Sequence, residues 1–264
     1  MRDTIKRAPA REAMRSANQL AVFDAIHRQG PISRVELAAA ELIERGLVFE
    51  AREAESTGVG RRKVLLEVDY EHASVVGIKV SSAAVHAALT DLKGDVRASR
   101  VDSLASTVPD DVVAQLVATL RDLRAESGAD VVGLGVSVPG SVDPASGTVT
   151  YSPLLGWEDV SLGQQLERAA GLPVVVENDV NALAAAEAWF GHGHEVDDFL
   201  VVTLGRGVGL GIVVNGSLYR GPHGGAGELG HVVLEPGGPA AAHSKAGAIE
   251  AYLSDDGLVR QARS

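Results

Sequence analysis

The chain has 264 residues, 45% hydrophobic and 22% charged, with a net charge of −11 and no cysteine. These figures exclude a disulfide scaffold, a thiolate metal centre and a disordered, charge-dominated chain. No apolar run approaches the roughly 20 residues of a membrane helix, and the polar N-terminus lacks the apolar core of a signal peptide, so the reading is a soluble, cytoplasmic protein with no membrane partner.

Charge is spread unevenly. Residues 1–69 hold 12 basic and 11 acidic residues, and the remainder hold the other 12 basic and 24 acidic. A locally basic head on an acidic body suits contact with phosphate through the head alone. Residues 1–15 read as a polar arm. Leu20, Val22, Phe23 and Ile26 stand at helical spacing over 16–28, and Gly30-Pro31 stops that helix. Ser33 with Glu36 forms a capping box for a second short helix over 34–40. Residues 41–46 read as a helix ending at Gly46. Residues 47–50 and 63–68 read as strands around a loop holding Gly58, Gly60, Arg61 and Arg62.

A different texture begins near residue 73. Strands are predicted over 75–80, 84–89 and 96–101, with a hairpin turn at Asp91-Leu92-Lys93-Gly94. An amphipathic helix follows over 109–126, capped by Pro109-Asp110. A buried strand over 131–138 leads into Pro139-Gly140-Ser141-Val142-Asp143. Then come a helix over 162–170, a strand over 174–176, a helix over 182–190, and strands over 199–204 and 211–214 around a glycine-rich turn. Strands mixed with helices argue an α/β or α+β body.

The apolar run Val174-Val175-Val176 ends in Glu177-Asn178-Asp179, which sets acids and an amide at the mouth of a strand. Open α/β sheets place ligands there. Carboxylates, an amide and an imidazole together match the mixed donor and acceptor character of sugar hydroxyls. Taken singly, each of these residues has a plain alternative as a helix cap, turn amide or core histidine. The basic run at 61–63 is likewise a solvated turn unless its helical context is counted.

The phrases Gly30-Pro31-Ile32-Ser33-Arg34-Val35-Glu36-Leu37-Ala38 and Glu41-Leu42-Ile43-Glu44-Arg45-Gly46-Leu47-Val48 resemble the head of repressors in the ROK family (repressor, open reading frame, kinase). Pro139–Asp143, Ser152-Pro153-Leu154-Leu155-Gly156-Trp157, Glu177–Asn181, Gly224-Gly225-Ala226-Gly227-Glu228-Leu229-Gly230-His231 and Ile249-Glu250 match the family in order and spacing. The resemblance implies a winged-helix DNA-binding head over 1–69. An actin-like, hexokinase-like ATPase body would follow, with one lobe over 73–190 and a second, truncated lobe over 191–264. It further implies sugar contacts from Asn178, Asp179, Glu228, His231 and Glu250, and DNA contacts from Ser33, Arg34, Arg61, Arg62 and Lys63.

The chain also departs from the family pattern. Ala38-Ala39-Ala40 runs almost directly into Glu41, so the recognition-helix segment and its base contacts are missing from this sequence. The kinase phosphate turn Asp-x-Gly-Gly-Thr is replaced by Lys79-Val80-Ser81-Ser82-Ala83, and a lysine cannot organise Mg²⁺. Lys79 itself reads as a solvent-edge strand residue. In a kinase relative, the residue at Asp179 would be the general base; here it is read as an anchor. The glycine turn 204–211 resembles the family's second phosphate loop with Arg206 at its hydroxyl position, and reads as a hairpin without nucleotide chemistry. Ala241, His243 and Ala248 stand where relatives place zinc-binding cysteines, so no metal and no cofactor are expected. The expectation is a non-catalytic, sugar-responsive repressor of carbohydrate metabolism, a homodimer whose partners are operator DNA and a sugar or sugar phosphate. The alternatives are an ATP-dependent sugar kinase and a sugar-binding protein without DNA readout.

Overall fold

The structure, a computed structural model, describes residues 32–33, 40–44, 46–53, 64–222 and 224–263. The expected helices over 16–28 and 34–40 fall outside these residues, apart from Ala40. So do Arg34, Arg61, Arg62 and Lys63, and of Ser33 only the backbone is described. Chain contacts divide the molecule into two compact units: the residues up to Ala73 with Asp91–Lys93, and the remainder.

In the first unit, β1 (Ile32–Ser33), β2 (Val48–Glu53) and β3 (Val64–Val68) form an antiparallel sheet in the order β1-β3-β2. A short helix, α1 (Ala40–Glu44), precedes β2. It closes as expected at Gly46, whose N–H donates to the Ile43 carbonyl while the Leu47 N–H reaches that of Leu42. Leu42, Val48, Leu66 and Val68 make a small buried cluster.

The second unit is mixed α/β. Its main sheet runs β11-β7-β4-β5-β6, built from β4 (Ser74–Val80), β5 (Ala84–Asp91), β6 (Val96–Ser103), β7 (Val131–Val138) and β11 (Val174–Asn178). β11 and β4 both pair parallel with β7, and β5 pairs antiparallel with β6. Helix α2 (Pro109–Ser127) buries Val112, Leu116, Leu120 and Leu123, one stripe at helical spacing. Those side chains meet Val76, Ile78, Leu89, Leu134 and Val136 in the main core. The cap of α2 differs from expectation. Val108 is the N-cap and makes no side-chain bond; Pro109 sits at the first turn, where its missing N–H costs nothing.

Three short strands, β8 (Ser141–Asp143), β9 (Thr148–Ser152) and β10 (Trp157–Val160), form a separate antiparallel sheet that the sequence reading did not anticipate. Trp157 is buried there and donates from Nε1 to the Thr107 carbonyl at 2.6 Å. Helix α3 (Leu162–Ala170) leads into β11, and α4 (Asp179–Phe190) leaves it. A third sheet, β12 (Phe199–Leu204), β13 (Val208–Val214) and β14 (Ser217–Leu218), packs on α4. The described chain closes with α5 (Ile249–Leu253) and α6 (Asp255–Ala262). No helix among the described residues is long and apolar enough to cross a membrane.

Candidate functional site

The parallel strands β4, β7 and β11 all end at one edge of the main sheet. Beyond those carboxyl ends, where ligands collect in sheets of this kind, lies a cavity of about 430 Å³. Lys79 arrives on β4, Gly140 from β7, and Asn178 with Asp179 from the β11–α4 junction. The β12–β13 turn brings Arg206, and the later loops bring Glu228, His231 and Glu250. All five residues expected to contact sugar therefore line one cleft, although more than fifty positions separate the first from the last two.

The β11–α4 junction has no loop. Asn178 is both the last residue of β11 and the N-cap of α4, which begins at Asp179, three residues before the expected helix start. Its Oδ1 accepts from the N–H groups of Val180 (2.9 Å) and Asn181 (3.0 Å), and its Nδ2 donates to the Gly140 carbonyl at 2.9 Å. One amide hydrogen remains for a ligand, so Asn178 chiefly shapes the cleft. Asp179 begins the helix, where the free N–H groups favour a carboxylate.

Lys79 is not merely a strand-edge residue. Its Nζ lies 3.1 Å from Asp179 Oδ2, with about half the lysine side chain exposed and the aspartate mostly covered. A cation thus stands beside the carboxylate that would serve as the general base in a kinase relative. Across the cleft, Arg206 Nη1 donates to Ser82 Oγ, tying the β12–β13 turn to the β4–β5 turn.

Two further residues support the site: Glu177, read from sequence as an acid at the strand mouth but given no sugar contact, and Arg220, which was not singled out. Glu177, whose side chain is 13% exposed, receives Arg220 Nε at 2.6 Å on Oε2. Its Oε1 accepts from the Asn178 N–H at 3.0 Å and from Asn181 Nδ2 at 3.1 Å. This network links the strand that carries Asn178 and Asp179 to the segment that leads into the Glu228 loop. The signal was present in sequence as a glutamate ending an apolar strand, but its partner lies 43 positions away.

Glu228 and His231 face each other across a short 3-10 turn, Leu229–His231, with His231 Nε2 3.4 Å from Glu228 Oε2. The flanking glycines are required by close backbone approach. A Cβ on Gly227 (φ +86°) would come within 1.8 Å of the Leu210 carbonyl oxygen, and one on Gly230 within 2.5 Å of that of Val208. In the glycine turn, a Cβ on Gly209 or Gly211 would strike Val180 and Ala184 of α4. Those two glycines admit the helix.

The residues at the family's zinc position do not fit a zinc ion. Among the described residues no group of three or more His, Asp or Glu could hold a metal, and structural zinc takes four ligands. The loop is tied by protein groups instead. Tyr252 donates its hydroxyl to Glu235 Oε2 at 2.6 Å, Arg260 Nη1 reaches the Ala240 carbonyl at 3.0 Å, and the Gly247 N–H reaches Pro239 at 2.7 Å. The bond to Glu235 raises the Tyr252 pKa above the usual phenol value.

Known proteins resemble this chain in sequence and fold. A profile of the ROK family matches residues 75–264. The xylose repressor of Bacillus subtilis (strain 168) is 28% identical over 263 residues, 94% of this chain and 68% of that protein. The DNA-binding transcriptional dual regulator NagC of Escherichia coli (strain K12) is 30% identical over 241 residues, 85% of this chain and 59% of that protein. A ROK family transcriptional regulator, a homologue of E. coli MLC protein, superposes with a TM-score of 0.80 at 30% identity, over 94% of this chain and 66% of that one. A ROK family glucokinase from Streptomyces griseus, solved with glucose and AMPPNP, gives 0.63 at 33% identity over 72% of this chain and 60% of that one. The chain spans 56% of the Caldicellulosiruptor bescii xylose repressor, which is 31% identical over 83% of this chain.

Proposed function

The chain belongs to the ROK family, and on that premise we propose that it is a sugar-responsive, DNA-binding transcriptional regulator, a repressor of carbohydrate metabolism that acts as a homodimer. The cleft binds a sugar and performs no chemistry on it. Asn178, Asp179, Glu228, His231 and Glu250 provide the sugar contacts. Ser33, Arg34, Arg61, Arg62 and Lys63 provide the DNA contacts of a winged-helix head, the three cations of the wing reaching phosphate.

The observation that carries the non-catalytic reading is the Lys79–Asp179 ion pair. Phosphoryl transfer depends on metal held by carboxylate oxygen and on a base free to take the hydroxyl proton. A lysine at this place supplies no metal ligand and occupies the carboxylate. Arg206 on Ser82 further spans the gap between the two glycine-turn positions. The likeness to the S. griseus glucokinase favours a kinase as the second reading; Lys79 stands against it. Sugar binding would alter DNA affinity only by favouring one arrangement of the paired heads over another.

Calorimetry with monosaccharides tests the sugar half of this reading. Asp179→Ala and Glu228→Ala should each abolish measurable binding, and unchanged affinity in either would refute the site. For the head, Arg61→Ala with Arg62→Ala should weaken DNA binding on every sequence and flatten its salt dependence. An unaltered salt slope would remove the wing from the DNA interface.

A further inference from the structure

We infer that the ligand of this cleft is an uncharged sugar, and that the charge arrangement around Lys79 and Asp179 rejects the corresponding sugar phosphate. This deepens the sugar-binding reading above and rests on it. Three carboxylates line the cavity, Asp179, Glu228 and Glu250, against two permanent cations, Lys79 and Arg206.

Both cations already have partners. Lys79 holds Asp179 at 3.1 Å, and Arg206 holds Ser82. Arg220, the next cation along the chain, is committed to Glu177 at 2.6 Å. The Glu250 carboxylate makes no hydrogen bond or ion pair among the described residues. The lining therefore offers acceptors in excess of uncommitted positive charge.

A carboxylate only accepts hydrogen bonds, whereas a hydroxyl both donates and accepts. A sugar hydroxyl at the Lys79–Asp179 pair can accept from a remaining lysine N–H and donate to the aspartate, leaving the pair intact. A phosphate monoester brings oxygens that only accept, and up to two negative charges. It could take the same lysine N–H, but the charge of Lys79 is already balanced by Asp179, so the added negative charge would face Asp179, Glu228 and Glu250 without a cation of its own, and like charges in one site oppose each other. The volume of about 430 Å³ lies within the roughly 300–1,000 Å³ usual for small-molecule sites, so size alone does not separate the two classes.

The test is calorimetric titration of the full chain with glucose, xylose and N-acetylglucosamine, in parallel with glucose 6-phosphate and N-acetylglucosamine 6-phosphate, at two salt concentrations. The neutral form should bind at least about tenfold more tightly than its phosphate. Asp179→Asn, which frees Lys79, and Glu250→Gln, which removes one charge without touching the pair, should each narrow that ratio. A phosphate that binds as tightly as the neutral sugar would overturn the inference while leaving the sugar-binding reading in place. A ratio unmoved in both variants would overturn charge as the selector. Binding of neither class would remove the sugar-binding reading and this inference with it.

Discussion

At the scale of single residues, Gly227 shows how tightly the site is built. Its φ of +86° and the 1.8 Å approach that a Cβ would make to the Leu210 carbonyl leave room for no side chain. Gly227→Ala should cost about 1–3 kcal/mol from backbone strain alone, and more as β13 shifts. Thermal unfolding should show a lower Tm, and sugar affinity should fall because Glu228 is the next residue. An unchanged Tm would mean that the loop relaxes without strain. The chemical types at 177–181 and 227–231 were legible in sequence, since carboxylates, amides and imidazoles advertise polar binding. Their division of labour was not. Asn178 proved to be mainly a cap, and Lys79 a partner of Asp179, because hydrogen-bond partners are set by folding and do not follow from spacing.

At the scale of elements, long periodic segments were the readable ones. The stripe Val112, Leu116, Leu120 and Leu123 announces α2, and all four side chains are buried against the main sheet. Leu116→Ala should therefore destabilise the protein by about 2–5 kcal/mol, read as a lower midpoint in urea with an unchanged slope. A loss below about 1 kcal/mol would contradict the packing described. The short strands β8, β9 and β10 escaped notice because three to five residues carry too little alternation to stand out from turn composition. The start of α4 was misplaced because the strand passes into the helix through one residue, with no turn to mark the change. The beginning of α6 could have been found: Ser254 accepts from the Gly257 N–H and is followed by Asp255 and Asp256, a capping serine with acids in the first turn.

At the scale of the whole molecule, the chain belongs to a family that also contains sugar kinases, and we propose that its cleft binds a sugar without the phosphate machinery of a kinase. The mixed α/β class was readable from the alternation of strands and helices. The convergence of β4, β7 and β11 on one edge was not, because strand order depends on contacts between distant segments. The most direct test is a crystal structure of the chain grown with a monosaccharide and a non-hydrolysable ATP analogue with magnesium. The expected result is sugar among Asp179, Glu228 and His231, the Lys79–Asp179 pair intact, and no nucleotide in the cleft. A metal-bridged triphosphate seated beside Lys79 would contradict it and make the chain a kinase.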